Sequence, residues 1–331
     1  MTVTAMTGTA TRRALLGAAL VAPGLARAQG GAGDYPSRPI RFIVPGPAGG
    51  AGDVLSRLLG ERLSHRLGQP IAVENRPGAG TNVGMTVVAR AAPDGYTLGL
   101  GSIASNAVNR WLYRNMPFDA EKDFAPVSLI ALVPNLMVVS PGLPVRSVAE
   151  FIAYARLRPG EINYGSIGAG SSQHLAGAQF GLATGIQMQH VPYNNSGQLN
   201  TDMMEGRVQV LFQSVSAVAE MARSGRMRPL AVTGTERVAA FPDIPTLTEA
   251  GVPIVSTGWF GVVTPAAVPA PILAKLSETT VASLNEPELR ARIAGLGSVP
   301  RPGTPEEFAR FMAEESAKWR PVIEATGATA D

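Results

Sequence analysis

Two small-residue stretches in this 331-residue chain have the composition of an anion site. The first reads VPGPAGGAGD and ends at Asp53; an apolar run, Ile40 to Val44, precedes it, and a helical pattern (Leu55, Leu58, Leu59, Leu63, Leu67) follows. The second reads GAGSSQH, from Gly168 to His174, and also stands between a strand pattern and a helical one. A loop with almost no side chains exposes backbone N–H groups at the start of a helix, where the helix dipole favours negative charge. Serine hydroxyls add further donors. Charge-assisted hydrogen bonds contribute about 1.5–3 kcal/mol each. A few of them, with the dipole, support micromolar affinity, about 8 kcal/mol, without a buried arginine.

Other chemistries fit less well. A hydrolase nucleophile elbow needs G-x-S-x-G, and Tyr164 stands where YGSIG would need its first glycine. Three histidines are present: His65 on the polar side of a helix, His190 in a strand pattern, and His174 close behind Ser171 and Ser172. A Ser–His pair at His174 is conceivable, but a histidine that completes the helix start is the simpler reading. GLGSIA (Gly99–Ala104) matches G-x-G-x-x-A, with Asp119 downstream, yet Asp119 falls in a proline-rich loop rather than at a strand end. The Walker pattern G-x-x-x-x-G-K-[ST] is absent, and so are usefully spaced metal ligands; no cofactor is expected.

The elements that must position the loops alternate. Strand patterns at 41–44, 71–74 and 96–101 are followed by helical patterns at 53–67, 83–92 and 104–113. This alternation predicts a doubly wound α/β sheet. An apolar run over 127–139, broken by Pro134, suits a strand leaving one lobe for another. Strand–helix pairs then recur through 148–233: a capping box opens at Ser147, and strands are expected at 162–166, 208–213 and 228–233. The run 257–263 suits a return crossing, and the last third is helical, its final helix opening on a Thr304–Glu307 capping box with Pro305 at the first position. Two crossings imply lobe 1 over 35–132 plus 256–331, lobe 2 over 133–255, and a ligand cleft between them.

Residues 1–28 read as a signal peptide of twin-arginine type: Arg12 and Arg13, a mild apolar stretch too short to span a bilayer, and an A-x-A site ending at Ala28. Removing Arg12, Arg13 and Arg27 leaves basic residues equal in number to the 25 acidic ones. Charge therefore offers no case for nucleic acid or an anionic membrane surface. With no cysteine, disulfides and thiolate chemistry are excluded. The mature chain is expected to be a soluble periplasmic monomer.

Eight segments carry a family resemblance: YPSRPIRFIVPGPAGGAGD, LGQPIAVENRPGAGTNVG, AAPDGYTL, GSSQHLAG, HVPYNNSG, RPLAVTGTERVAAFPDIPTLTEAGV, GWFGVVTPAAVPAPI and TPEEFARFMAEESAKW. Over nearly its whole length the mature chain resembles the Bug-type solute-binding proteins of tripartite tricarboxylate transporters. The resemblance implies a type II periplasmic-binding-protein fold that closes on a small carboxylate, no catalysis, and integral membrane subunits of the transporter as partners. The alternative is a solute-sensing binding protein that works with a signalling partner. The contacts it implies are Pro47, Ala48, Gly49, Gly50 and Asp53 on one wall, with Ser102 and Asn106 beside them, Asp53 being the helix cap. Opposite stand Gly168, Gly170, Ser171, Ser172 and His174, then Tyr193 and Asn194. Where the family reads Tyr-Lys-Gly after His-Val-Pro, this chain has Tyr193-Asn194-Asn195, so substrate identity does not carry over.

Overall fold

A computed structural model describes residues 1–2, 35–193 and 195–330. The segment read as a signal peptide, apart from its first two residues, and Asn194 lie outside the described residues. The chain runs β1 (Ile40–Val44), α1 (Ala51–Leu67), β2 (Ile71–Asn75), α2 (Asn82–Ala89), β3 (Thr97–Ser102), α3 (Asn109–Leu112), β4 (Phe124–Val139), α4 (Val148–Arg156), β5 (Ile162–Ser166) and α5 (Ser172–Thr184). It continues with β6 (Met188–Pro192), α6 (Ser196–Met204), β7 (Val210–Ser214), α7 (Val215–Arg223), β8 (Arg228–Val232), β9 (Thr257–Pro265), α8 (Ala270–Leu284), α9 (Pro287–Gly295), β10 (Val299–Pro300) and α10 (Pro305–Thr326).

The strands form one curled sheet in the order β2-β1-β3-β9-β4-β7-β5-β6, with β8 and β10 also paired to β4. Within each half the βα units are parallel, as alternation requires, but β4 and β9 are antiparallel to their neighbours and shared between the halves. Pro134 does not break the 16-residue β4. It pairs with Thr257 at the start of β9, where β4 exchanges β9 for β8 as its neighbour. The ladder is already interrupted there: the next N–H, of Asn135, goes to the Thr233 hydroxyl at 2.9 Å. A residue without an N–H costs least at such an irregularity.

The registers decide where a ligand can sit. Ser102 at the end of β3 pairs with Phe260 near the start of β9, and Ser214 at the end of β7 pairs with Asn135 just past the crossing. β1 is parallel to β3, and β5 to β7. The carboxyl ends of β1, β3, β5 and β7 therefore all face the waist of the sheet, the usual place for ligands in open α/β folds.

Two further differences from the sequence patterns have local causes. Helix 104–113 opens with a π-helical turn, Ala104–Val108. The Ser102 hydroxyl accepts from Ser105 N–H, and the Ser105 hydroxyl accepts from Ser102 N–H and donates to Asn106 Oδ1, so side chains compete for the first turn. At α4, Ser147 caps Glu150 N–H, but the Glu150 carboxylate reaches Arg146 N–H instead of completing a box on Ser147. The Thr304–Glu307 box closes in both directions.

Four apolar clusters fill the layers. Leu55, Leu59 and Leu63 of α1 meet Ile40, Phe42 and Leu98, while Trp259 stands edge-on to Phe308 and Phe311 under α10. In the other half Phe151, Phe180 and Phe212 pack on one face of the sheet, and Leu199, Met203 and Val218 on the other. Glycine permits one close approach: a Cβ on Gly261 would stand 2.1 Å from the Phe308 ring. Gly261→Ala is expected to destabilise by ~1–3 kcal/mol through overpacking. Gly295→Ala, at the end of α9 with nothing within 4 Å of the added carbon, is expected to gain up to ~1 kcal/mol. Urea unfolding of both variants checks the opposite signs.

Candidate functional site

The first loop satisfies part of itself. Gly49, at φ +77°, turns so that its N–H donates to Asp53 Oδ2 at 2.8 Å, and Gly50 N–H donates to Pro47 O at 3.3 Å. The Asp53 carboxylate is 5% exposed and also pairs with Arg57 at 2.9 Å. Burial opposes its ionisation, but Arg57 and the Gly49 N–H outweigh it and hold the group below the usual carboxylate range. Asp53 is thus the inner brace of the loop, and it takes one of the donors that the glycines provide. Pro47, Ala48 and Gly49 are exposed, with Gly50 half-buried as the N-cap of α1. The N–H groups of Ala51 and Gly52 open the helix, where no intrahelical acceptor exists.

The second loop is braced by histidine and serine. Gly168 and Gly170 stand at φ +116° and +77°, which favours glycine. Ser171, the N-cap of α5, accepts from His174 N–H at 3.3 Å and gives its own hydrogen to Gly168 O at 2.7 Å. That hydroxyl has no hydrogen left for a carboxylate. Ser172 has only a 3.5 Å contact, to Gln173 Oε1, and abuts Gly258 at the start of β9. Of the two serines, Ser172 keeps its hydrogen available at the waist. Tyr193 donates its hydroxyl to Asp202 at 2.7 Å and its N–H to Ser166 O at 2.8 Å, so its polar groups are spent on β5 and α6.

Contacts bring the second loop onto the other half of the molecule. A Cβ on Gly170 would stand 2.6 Å from Leu112 and 3.3 Å from Asn109 Oδ1. Asn109 in turn donates to Gly80 O at 2.7 Å and to Asn82 Oδ1 at 2.8 Å. Ser102 closes β3 and Asn106 lies in the π-helical turn that follows, 5% and 4% exposed; Asn106 Nδ2 is buried without a partner. The first loop meets the same strand ends from the far side of β3, since a Cβ on Gly52 would clash with Leu100 and Phe260.

Sequence reasoning missed several groups here. The imidazole ring bonded to a serine is that of His190, not His174: its Nε2 lies 2.7 Å from the Ser166 hydroxyl. Ser166 is fully buried and also bonds both polar groups of Gly168, so it shapes the loop. Asn135, Gln213, Ser256 and Trp259 each bury a polar side-chain atom without a partner. The signal lay in plain view: an asparagine inside the apolar run VPNLMVV and a Gln-Ser pair closing the strand VLFQS. Among the described residues, no group of three or more acidic or histidine side chains could hold a metal ion.

The His174 and His190 rings lie 4.2 Å apart, Tyr164 stacks on His190, and a cavity of about 570 Å³ opens beside them toward Thr326. Burial pushes both imidazoles down to about 4, His190 with a further push from His174. Gly170 N–H donates to His174 Nδ1 at 3.2 Å, which demands the neutral ring. The unfolded chain takes these protons near 6.5 and the folded chain only near 4. Stability is therefore intact above about 6.5 and falls as pH drops toward 4. His190→Asn is expected to flatten that fall in a thermal-unfolding series from pH 7 to 4; an unchanged slope would remove the pair as its cause. Independently, Ser171→Ala is expected to cost about 1 kcal/mol as a lost N-cap, and Ser172→Ala clearly less.

Comparison with known proteins accords with this geometry. The profile of TctC, the tripartite tricarboxylate transporter family receptor, matches residues 55–328. Protein BugT of Bordetella pertussis is 36% identical over 317 residues, covering 95% of this chain and 97% of BugT. Rpa4515 of R. palustris, solved with adipate, superposes with a TM-score of 0.83 at 38% identity, covering 89% of this chain and 99% of that one. MatC from Rhodopseudomonas palustris, solved with bound malate, gives 0.78 at 30% identity, covering 87% and 100%. These proteins are solute receptors rather than enzymes, with the two-lobed fold described above. The chain belongs to the TctC family, the receptors of tripartite tricarboxylate transporters that include the Bug proteins.

Proposed function

We propose that the chain captures a small carboxylate between its two lobes outside the cytoplasm and presents it to the integral membrane subunits of a tripartite tricarboxylate transporter. One observation carries the reading: the carboxyl ends of strands from both halves, with the starts of α1 and α5, converge on the waist beside uncharged, partly unspent donors. Relatives solved with adipate and with malate support a carboxylate. Within the site, the N–H groups at Ala51, Gly52, Ser172 and Gln173 and the Ser172 hydroxyl hold the carboxylate. Asp53, Ser171 and His174 keep the loops in shape.

The lobes are residues 35–132 with 256–331, and 133–255. The separate apolar clusters around α1 and α10 and around α5 and α7 support that division. Val133 and Leu175 are the exceptions, the first packing in the cluster around α1 and the second in the cluster under α10. Export of a mature, monomeric chain to the periplasm by the twin-arginine route rests on residues 1–28. Among the described residues no helix is long and apolar enough to cross a membrane.

A thermal-shift screen of organic acids tests the reading. A ligand at about 100-fold over its Kd stabilises by about 2.7 kcal/mol. Ser172→Ala is expected to weaken the best acid by ~1.5–3 kcal/mol, about 10- to 150-fold. Small-angle scattering is expected to show a smaller radius of gyration with that acid present. A shift with a sugar or an amine and none with any acid would overturn the proposal.

A further inference from the structure

The cavity beside the two histidines lies away from the waist. It fills about 570 Å³ between α5, β6 and the end of α10, a volume typical of small-molecule sites. One face of α5 borders it, with Gly177, Gly181 and Gly185 on successive turns. Met188 borders it too and is the first residue of β6, so the cavity reaches the strand end opposite the waist. His174 is the one residue of the two small-residue loops that lines it. Gly177 lets the Tyr164 ring lie against the helix, since a Cβ there would stand 2.3 Å from that ring.

Polar groups border this space with hydrogen-bonding capacity unspent. Tyr164 is 5% exposed and His174 4%. Burial alone raises the Tyr164 hydroxyl to about 12 and lowers His174 to about 4. Among the described residues, neither the Tyr164 hydroxyl nor His174 Nε2 has a hydrogen-bond partner, and neither atom is sealed from the cavity. His174 Nδ1 accepts from Gly170 N–H, so the ring is neutral and Nε2 carries the hydrogen. His190 spends Nε2 on Ser166 and leaves Nδ1. Tyr164 and His190 are register partners on β5 and β6, which brings the three rings to one place.

The surroundings select the ligand. Ala178, Leu182, Ile186 and Met188 supply apolar surface, and no charged side chain among the described residues lines the cavity. α5 ends at its rim with Gly185 as cap, and α10 ends there at Thr326. Helix C-termini carry partial negative charge. An anion would therefore lose its hydration with no counter-charge to replace it. A metal ion fits no better, because His174 Nε2–H has no lone pair to offer. An uncharged oxygen fits, accepting from His174 Nε2–H beside the Tyr164 hydroxyl. We infer that this cavity is a second ligand site, separate from the waist, for a small uncharged molecule with an apolar body and a carbonyl or hydroxyl oxygen held by His174 and Tyr164. It goes beyond the carboxylate reading and does not depend on it.

Proton NMR of the imidazole rings tests the inference, because the chain has three histidines and two of them line the cavity. The probes are benzamide, benzyl alcohol and, as a matched anion, benzoate, at pH 7. Affinities are read at His190, which belongs to neither small-residue loop. Benzamide or benzyl alcohol is expected to move the His190 signal saturably and leave that of His65 in place, with benzoate at least tenfold weaker. Tyr164→Phe gives up no hydrogen bond to a described residue, so it is expected to fold and to weaken the neutral probe about 3- to 10-fold. Ala178→Leu, which fills the cavity, is expected to abolish the shift; should it fail to fold, Tyr164→Phe and the neutral-against-anion comparison decide. A His190 signal unmoved by both neutral probes, benzoate binding there as tightly as benzamide, or unchanged affinity in Tyr164→Phe overturns the site.

Discussion

Everything in this molecule depends on two strands that belong to both halves. β4 spans 16 residues and β9 runs antiparallel beside it, and each is bonded on both flanks. Because they run against their neighbours, they turn the carboxyl ends of the parallel strands in each half toward a common line. A wholly parallel sheet would put all strand ends on one edge of one layer. The shared antiparallel pair instead opposes two such edges and creates a site with two walls.

The walls are built with little formal charge. The charged pair nearest the first loop, Asp53 and Arg57, is spent on itself and on Gly49. The second loop uses neutral histidines, one as an acceptor for Gly170 N–H. Internal groups thus fix the loops and leave the helix-start N–H groups without intrahelical acceptors. Fixing the loops beforehand lowers the ordering cost of binding. Neutral donors also spare the cost of desolvating a buried cation, which can exceed its attraction for an anion.

The sequence showed most of the elements because periodicity and punctuation are local. Leucines at helical spacing marked α1, and Thr304 with Glu307 marked the start of α10. It showed both small-residue loops that open α1 and α5, since glycine and serine clusters are local too. It did not show which serine would spend its hydrogen: that choice follows from Gly168 at φ +116° presenting its carbonyl to Ser171. Nor did it show the continuity of β4 through Pro134, which depends on a change of neighbouring strand. Asn135 and Gln213 stood out in the sequence as polar residues inside apolar runs, but their surroundings did not. Their significance lies in being buried where strands from both halves meet, and burial at a crossing is a property of the sheet rather than of any short window.

The contact between the halves also limits how they move. Gly170 sits against Leu112, and Leu175 of α5 packs in the core that Trp259 and Phe308 build under α10. The C-terminal segment adds a strap, with Ala330 N–H donating to Leu112 O at 3.1 Å. α5 therefore carries the second loop at its start and is anchored in the opposite lobe by its first turn. Rotation about the two crossing strands must repack Leu175 or carry its neighbours along. Packed interfaces of this kind occupy discrete arrangements rather than deforming continuously. The glycines at 170 and 258 set how closely the surfaces meet, because a methyl group at either position would press on Leu112 or Ser172. The residues that bring α5 against the other half are thus also the ones that constrain rotation about the crossing strands.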